Sequence, residues 1–349
     1  MSDSLPIPPA AATGIGSVPG TDSHEWSRTI AGELPDFPHV PELPQRGPGA
    51  DLIGRTMGLL SEVAGDLAVE TTPSGWRFAD SPGRVMARAR SWLGEDLDGI
   101  EAALAASATT LKLQLAGPWT LAANIEMRTG ERAIRDPGAC RELAEALAEA
   151  IRGHLADVAR RLPRASLVLQ LDEPSLPTVL AGGVSTASGI ATYRAVDEQR
   201  VREHLGIALA AAEGRPAGVH CCDPRVPVDL LRRAGSRLIS VDLMTMEAGQ
   251  EEALGEALDA GCRLLLGVVP SLPPADEEAR GVAERAAARL IDQYSRWGFS
   301  AEHANALVSP TPACGLAGAG VPGARTAYAA VREAGRLVRE DSAGQEESA

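Results

Sequence analysis

The feature that most constrains this chain is a rhythm. Short apolar runs that stop at Gly, Pro, Asp or Cys alternate with longer Ala-, Glu- and Arg-rich stretches whose apolar residues recur at helical spacing. Eight strand candidates carry it, at 14–17, 67–70, 111–115, 166–171, 217–222, 238–243, 263–269 and 306–310. Helical stretches such as 51–65, 82–106, 138–161, 197–213 and 325–340 lie between or after them. Strands that alternate with helices imply β–α–β units and a parallel sheet. No Ser/Gly linker divides the chain. Residues 13–336 are therefore expected to form one α/β unit, a (β/α)8 TIM barrel, with an open sheet of fewer strands as the alternative. Residues 1–12 are expected to be a mobile tail, and 337–349 a disordered acidic one.

Composition narrows the function class. Aromatics are 3% of residues against 44% hydrophobic, so the core must be built from Ala, Val, Leu and Ile. The net charge of −14 repels phosphate backbones, and no basic patch interleaved with aromatics offsets it. No nucleic-acid partner is expected. No apolar run reaches the roughly 18 residues of a membrane span. The N-terminal MSDSLPIPPAAATG has neither the basic nor the apolar region of a signal peptide. Cysteines at 140, 221, 222, 262 and 314 are odd in number and sparse, which argues against a disulfide scaffold and for a reducing compartment. The expected location is the cytoplasm.

Chemistry in a barrel sits where strands end. AGVHCCD closes one candidate strand, and residues two apart on a strand face the same side. His220 and Cys222 can thus share a site while Cys221 points away. Asp242 ends the next strand, in LISVDL, and Cys314 follows the last, in SPTPACGL. One imidazole, two thiolates and a carboxylate form a zinc-type ligand set. The same residues would also suit buried thiols acting as small apolar groups, or a Cys–His nucleophile pair. Cys140 and Cys262 are expected to be structural. LVLQLDEPSLP places Asp172 and Glu173 at a strand end, where alternation sends one inward and the other out. The inward carboxylate could hold an amino group or act as a base, and a helix-capping role is the simpler alternative. TGIGSVPGTD lacks the spacing of a phosphate loop. A tight turn whose backbone and Ser17 cradle a carboxylate fits it better.

Taken in order, these segments resemble the C-terminal catalytic barrel of cobalamin-independent methionine synthase. Ile15-Gly16-Ser17 with the following Pro and Thr, then LAGPWTLA, QLDEP, HCC, ISVD and ACGL, carry the resemblance over roughly residues 13–330. The chain is similar to a single-barrel form, and more distantly to uroporphyrinogen decarboxylase, a barrel without zinc. The resemblance implies zinc (Zn2+) held by His220, Cys222 and Cys314, with Asp242 at the position of the family's glutamate and Glu247 as its substitute. It implies homocysteine held by Ile15, Ser17, Glu70 and Asp172. The family's folate-stacking tryptophan, a glutamate past the DEP motif and a proton-donating histidine are replaced here by Asn124, Thr178 and the histidine-free GVVPSLPP segment.

The implied activity is that of a zinc-dependent S-methyltransferase that forms methionine from homocysteine. The implied methyl donor is methyltetrahydrofolate or a methyl-corrinoid, free or protein-bound. A corrinoid leaving group needs no proton, which agrees with the missing histidine. The alternatives are the same zinc chemistry on another thiol, a metal-free decarboxylase-like barrel, and a non-catalytic accessory of methyl metabolism.

Overall fold

The computed structural model describes residues 5–346 apart from 106, 108, 248 and 274–277. In chain order its elements are α1 (Ser23–Glu33), α2 (Leu52–Val63), β1 (Val69–Thr72), β2 (Gly75–Phe78), α3 (Arg84–Leu104), β3 (Thr110–Ala116), α4 (Pro118–Asn124), β4 (Ile125–Glu126), α5 (Pro137–Arg161) and β5 (Ser166–Asp172). There follow α6 (Leu176–Leu180), α7 (Glu198–Ala210), β6 (Ala217–Cys221), α8 (Val228–Arg233), β7 (Leu238–Asp242), α9 (Gln250–Asp259), β8 (Arg263–Val269), α10 (Ala279–Trp297), α11 (Ala301–Leu307), β9 (Val308–Pro312) and α12 (Gly320–Glu346). Several helices start where a side chain caps the first turn. Asp51 accepts from Gly54 N, and Asp136 accepts from Gly138 N and Ala139 N with Pro137 just inside the helix.

Six strands form one parallel sheet in the order β3-β5-β6-β7-β8-β9. Each of its strands is buried over nearly its whole length, as helices on the outside and packed side chains on the inside require. A fully strand-built eight-stave barrel is not what the described residues form. The candidate at 67–70 instead enters β1, which pairs antiparallel with β2 in a small separate sheet completed by β4. Two irregular segments occupy the interval between β9 and β3. Thr13 N donates to Pro310 O at 3.3 Å, and Val18 N and Glu42 N exchange bonds with Glu42 O and Gly16 O at 2.9 and 3.2 Å. Val40 N and Lys112 N then bond Lys112 O and Pro38 O at 3.1 and 2.9 Å. Pro38, Pro41 and Pro44 lack donors, so this stretch makes isolated bridges rather than a continuous ladder.

At the N-terminal end of the strands, Ile7, Ala11, Phe37, Val168, Leu238 and Leu265 form a buried cluster of their own. Arg263, 1% exposed, donates to Ile7 O at 2.9 Å and to Pro8 O at 2.6 Å. Residues 5–12 lie in this floor, and α12 extends through 337–346 with Tyr328, Val331, Ala334 and Val338 buried. Small Ala and Pro side chains at the start of the chain suit close packing, and the C-terminal stretch keeps a buried apolar stripe beyond its acidic face. Residues 1–4 and 347–349 lie outside the described residues. No helix among the described residues is long and apolar enough to cross a membrane.

One glycine in the sheet carries a prediction. A Cβ at Gly218 would overlap the Leu238 carbonyl oxygen, a backbone atom with no room to yield. Gly218→Ala should therefore destabilise the fold by about 2 kcal/mol or more through forced separation of β6 and β7. Urea unfolding checks it, and a midpoint equal to wild type would show that the two strands are not so tightly joined.

Candidate metal and substrate site

β6 delivers His220, and Cys222 follows one residue past its end, so both face the interior as a period of two requires. Cys314 arrives from the turn after β9. The ligand atoms of His220, Cys222 and Cys314 all lie within 4.8 Å of one another. The two sulfurs are 3.3 Å apart. In register on β7, Ser240 meets His220, and its hydroxyl bonds Nδ1 at 2.9 Å. This contact fixes the ring and turns Nε2 toward the sulfurs. Nε2 is buried and, among the described residues, has no partner of hydrogen-bond geometry. A buried imidazole nitrogen left unpaired beside two sulfurs is costly as it stands, and a thiophilic cation would satisfy all three donors at once. The residues thus fit zinc. The contact with Cys222, with the His220 imidazole beside it, pulls the Cys314 thiol well down. Cys222 is pushed up by the same contact and by burial.

A cavity of about 220 Å³ opens from this cluster, a size suited to an amino acid rather than a drug-sized ligand. Ile15, Gly16, Ser17, Glu42, Asp172 and Gly315 supply its polar side, and Pro44, Ala50, Leu52 and Pro174 its apolar wall. Asp172 is 6% exposed, and its Oδ1 accepts from Gln170 Nε2 at 2.7 Å. Burial raises its carboxyl above the usual carboxylate range. Glu42, also 6% exposed, is raised by burial too, against the pull of the Arg55 charge. The Ser17 segment lies directly against Cys314-Gly315. A Cβ on Gly315 would overlap the Ser17 hydroxyl, and Leu316 N donates to Ser17 O at 2.7 Å.

The DEP motif splits. Asp172 faces the cavity, whereas Glu173 turns outward and is fully buried under α4. There it accepts from Trp119 N, Thr120 N and Thr120 Oγ1 at 2.9, 2.7 and 2.8 Å. Capping thus falls to Glu173, on a neighbouring helix rather than its own.

Two expected site residues are not brought to the cavity. Glu70 sits on the exposed hairpin, paired with Arg77 at 2.6 Å. Its strand lies outside the parallel sheet, and Glu42 occupies the cavity instead. Asp242 does not join the His–Cys–Cys group. Its two oxygens accept from Met244 N at 2.9 Å and Thr245 Oγ1 at 2.7 Å, so a short aspartate is spent on its own turn. Glu247 is exposed and also outside the group. Asn124 bonds Thr120 O and Ser175 Oγ, at 2.8 and 3.0 Å. Cys221 is buried away from the cluster. Cys140 and Cys262 each donate to a backbone carbonyl, Ala133 O and Ser236 O.

Glu42 is the residue that the sequence hides. Its only signal is an acidic residue in HVPELP, where prolines break the apolar run that would mark a strand.

A family model described as the catalytic domain of cobalamin-independent synthase matches residues 10–336. Among solved structures, the chain is similar to a B12-independent methionine synthase from Shewanella sp. W3-18-1 in complex with selenomethionine. The identity is 14% and the TM-score 0.59, with 96% of this chain and 99% of that chain covered. It also matches GH5_18 from Streptomyces cattleya in complex with GlcNAc, at 15% identity and a TM-score of 0.49, covering 96% of this chain and 81% of that one. At 14% identity the likeness to the methionine synthase is one of fold. No curated protein matches the chain.

Proposed function

This chain belongs to the family of cobalamin-independent methionine synthase catalytic domains, and from that premise we propose that it is a zinc-dependent methyltransferase that converts homocysteine to methionine. The observation that carries the proposal is the unpaired, buried His220 Nε2 facing two cysteine sulfurs at the edge of a carboxylate-bearing cavity. His220, Cys222 and Cys314 hold the zinc. A free thiol is only a few per cent thiolate at neutral pH, and zinc supplies the Lewis acidity that keeps a substrate thiol deprotonated and nucleophilic.

The chain's own residues do the rest. Asp172 and Glu42 receive the substrate ammonium, two buried carboxylates whose raised protonation an arriving cation reverses. The Ile15–Ser17 turn receives the substrate carboxylate through backbone N–H groups and the Ser17 hydroxyl. Ser240 holds the His220 ring in the orientation that its ligand role needs. The apolar wall of Pro44, Ala50, Leu52 and Pro174 excludes water beside the sulfur.

Residues 13–336 act as one catalytic unit, a (β/α)8 barrel in which the bridged segments 13–18 and 38–42 stand as the first two staves. Two methyl donors fit this acceptor side: methyltetrahydrofolate, and a methyl-corrinoid, free or protein-bound. Asn124, engaged with Thr120 and Ser175, offers no aromatic face for a pterin, and this favours the corrinoid. A cytoplasmic location keeps the two thiols reduced.

The deciding experiment supplies zinc-loaded protein and homocysteine with each donor in turn and measures methionine. Methionine from neither donor would overturn the proposal. Within the site, Asp172→Asn should keep one zinc per chain while weakening homocysteine binding on the order of tenfold or more, as expected when a charged hydrogen-bond acceptor is lost. Calorimetry on the zinc-loaded variant reads this. Unchanged affinity would remove Asp172 from the ammonium site.

A further inference from the structure

Lys112 is the only lysine in a chain whose other basic residues of that class are all arginines. It lies on β3 and is fully buried. Val168, Leu238 and Leu265 lie at the floor below, where an aliphatic side chain at position 112 would serve packing as well. Burial draws the Lys112 ammonium down to about 7, against the pull of Asp172 and then Glu42. A group so costly to bury calls for a use beyond packing.

Its contacts point to that use. Lys112 Nζ donates to Ile15 O at 2.7 Å and to Gln170 Oε1 at 2.8 Å. Because its oxygen is taken by a cation, the Gln170 amide has one orientation. Its NH2 then donates to Asp172 Oδ1 at 2.7 Å and to Ile15 O at 3.0 Å. One ammonium thus ties together two parts of the cavity that share no element, the Ile15–Ser17 turn and the Asp172 carboxylate. A compact lysine ammonium makes this single-point junction, where arginine would bring a wide planar fork.

We propose that Lys112, acting through Gln170, is a positioning residue that sets the spacing between the ammonium and carboxylate subsites, and so makes the site select thiols that carry an α-amino-acid end. The inference rests on the homocysteine assignment above. It adds that recognition of the amino-acid end is organised from beneath the cavity by a residue that does not touch substrate.

The test compares two ligands by calorimetric titration of the zinc-loaded protein: homocysteine, and propanethiol, which has the thiol without the amino-acid end. Wild type should prefer homocysteine. Lys112→Met should keep its zinc, keep wild-type affinity for propanethiol, and lose roughly 10- to 100-fold in affinity for homocysteine, the scale of one or two hydrogen bonds to a charged group. A structural defect alone would weaken both ligands together and overturn the proposal. Equal preference for homocysteine in variant and wild type would also overturn it, while leaving the proposed function standing. No preference in wild type would remove the amino-acid site, and this inference with it. Should Lys112→Met not fold, Gln170→Leu cuts the same link from its other end, and the same outcomes decide.

Discussion

Cys314→Ala is expected to leave the protein with little zinc and to lower thiol methylation on the order of 1000-fold or more. The cluster offers three protein donors within 4.8 Å, one of them an imidazole nitrogen with no hydrogen-bond partner among the described residues. Removing one sulfur leaves His220 and Cys222, too few to retain a cation against water and buffer. Elemental analysis of wild type and variant, prepared together, gives the answer before any activity assay. About one zinc per chain in wild type and a small fraction of that in the variant is the expected pair of values. A variant that kept wild-type zinc would remove Cys314 from the ligand set. Zinc-free wild type would remove the means of activating a thiol and return the chain to a metal-free barrel chemistry. Cys222→Ser should behave in the same way, since its sulfur stands 3.3 Å from that of Cys314.

The second large effect falls on stability. Glu173→Leu should cost about 3 kcal/mol or more, because three donors in a fully buried place lose their shared acceptor together. Burial also raises the Glu173 carboxyl to about 7, against the pull of those three donors. The neighbouring Gly117 is shaped to this arrangement, since a Cβ there would overlap the Glu173 carboxylate. Urea unfolding of Glu173→Leu beside Glu173→Gln separates the two contributions. The amide keeps an acceptor and the volume, so it should cost less than half as much. Equal losses in the two variants would mean that the charge, and not the capping bonds, holds α4 in place.

The two outcomes share a sequence origin that is only partly legible. A period of two on a strand is enough to pair His220 with Cys222, and a thiol just past the last strand points to Cys314. Alternation also separates Asp172 from Glu173, but it does not say that the outward carboxylate caps a helix from another part of the chain. The stave that carries Glu42 is invisible because Pro38, Pro41 and Pro44 interrupt the apolar pattern by which a strand is recognised. Val69–Thr72 has that pattern and does become a strand, yet in an antiparallel hairpin outside the main sheet, which is why Glu70 does not reach the cavity. Asp242 ends its strand as expected. Competition from Met244 N and Thr245 Oγ1 in its own turn, a contest that residue order does not reveal, takes its oxygens. Lys112 is inconspicuous in an apolar run, because its significance depends on residues 97 and 58 positions away.

The floor of the sheet has a consequence in time. The bond from Arg263 to Ile7 O joins residues 256 apart in sequence. Residues 7 and 8 leave the ribosome long before Arg263, so the seam that closes the bottom of the sheet waits until five of its six strands have been made. Until then Ile7, Ala11 and Phe37 have only part of their apolar seat. A chain cut short before Arg263 would therefore leave Ile7, Ala11 and Phe37 as an open, adhesive base.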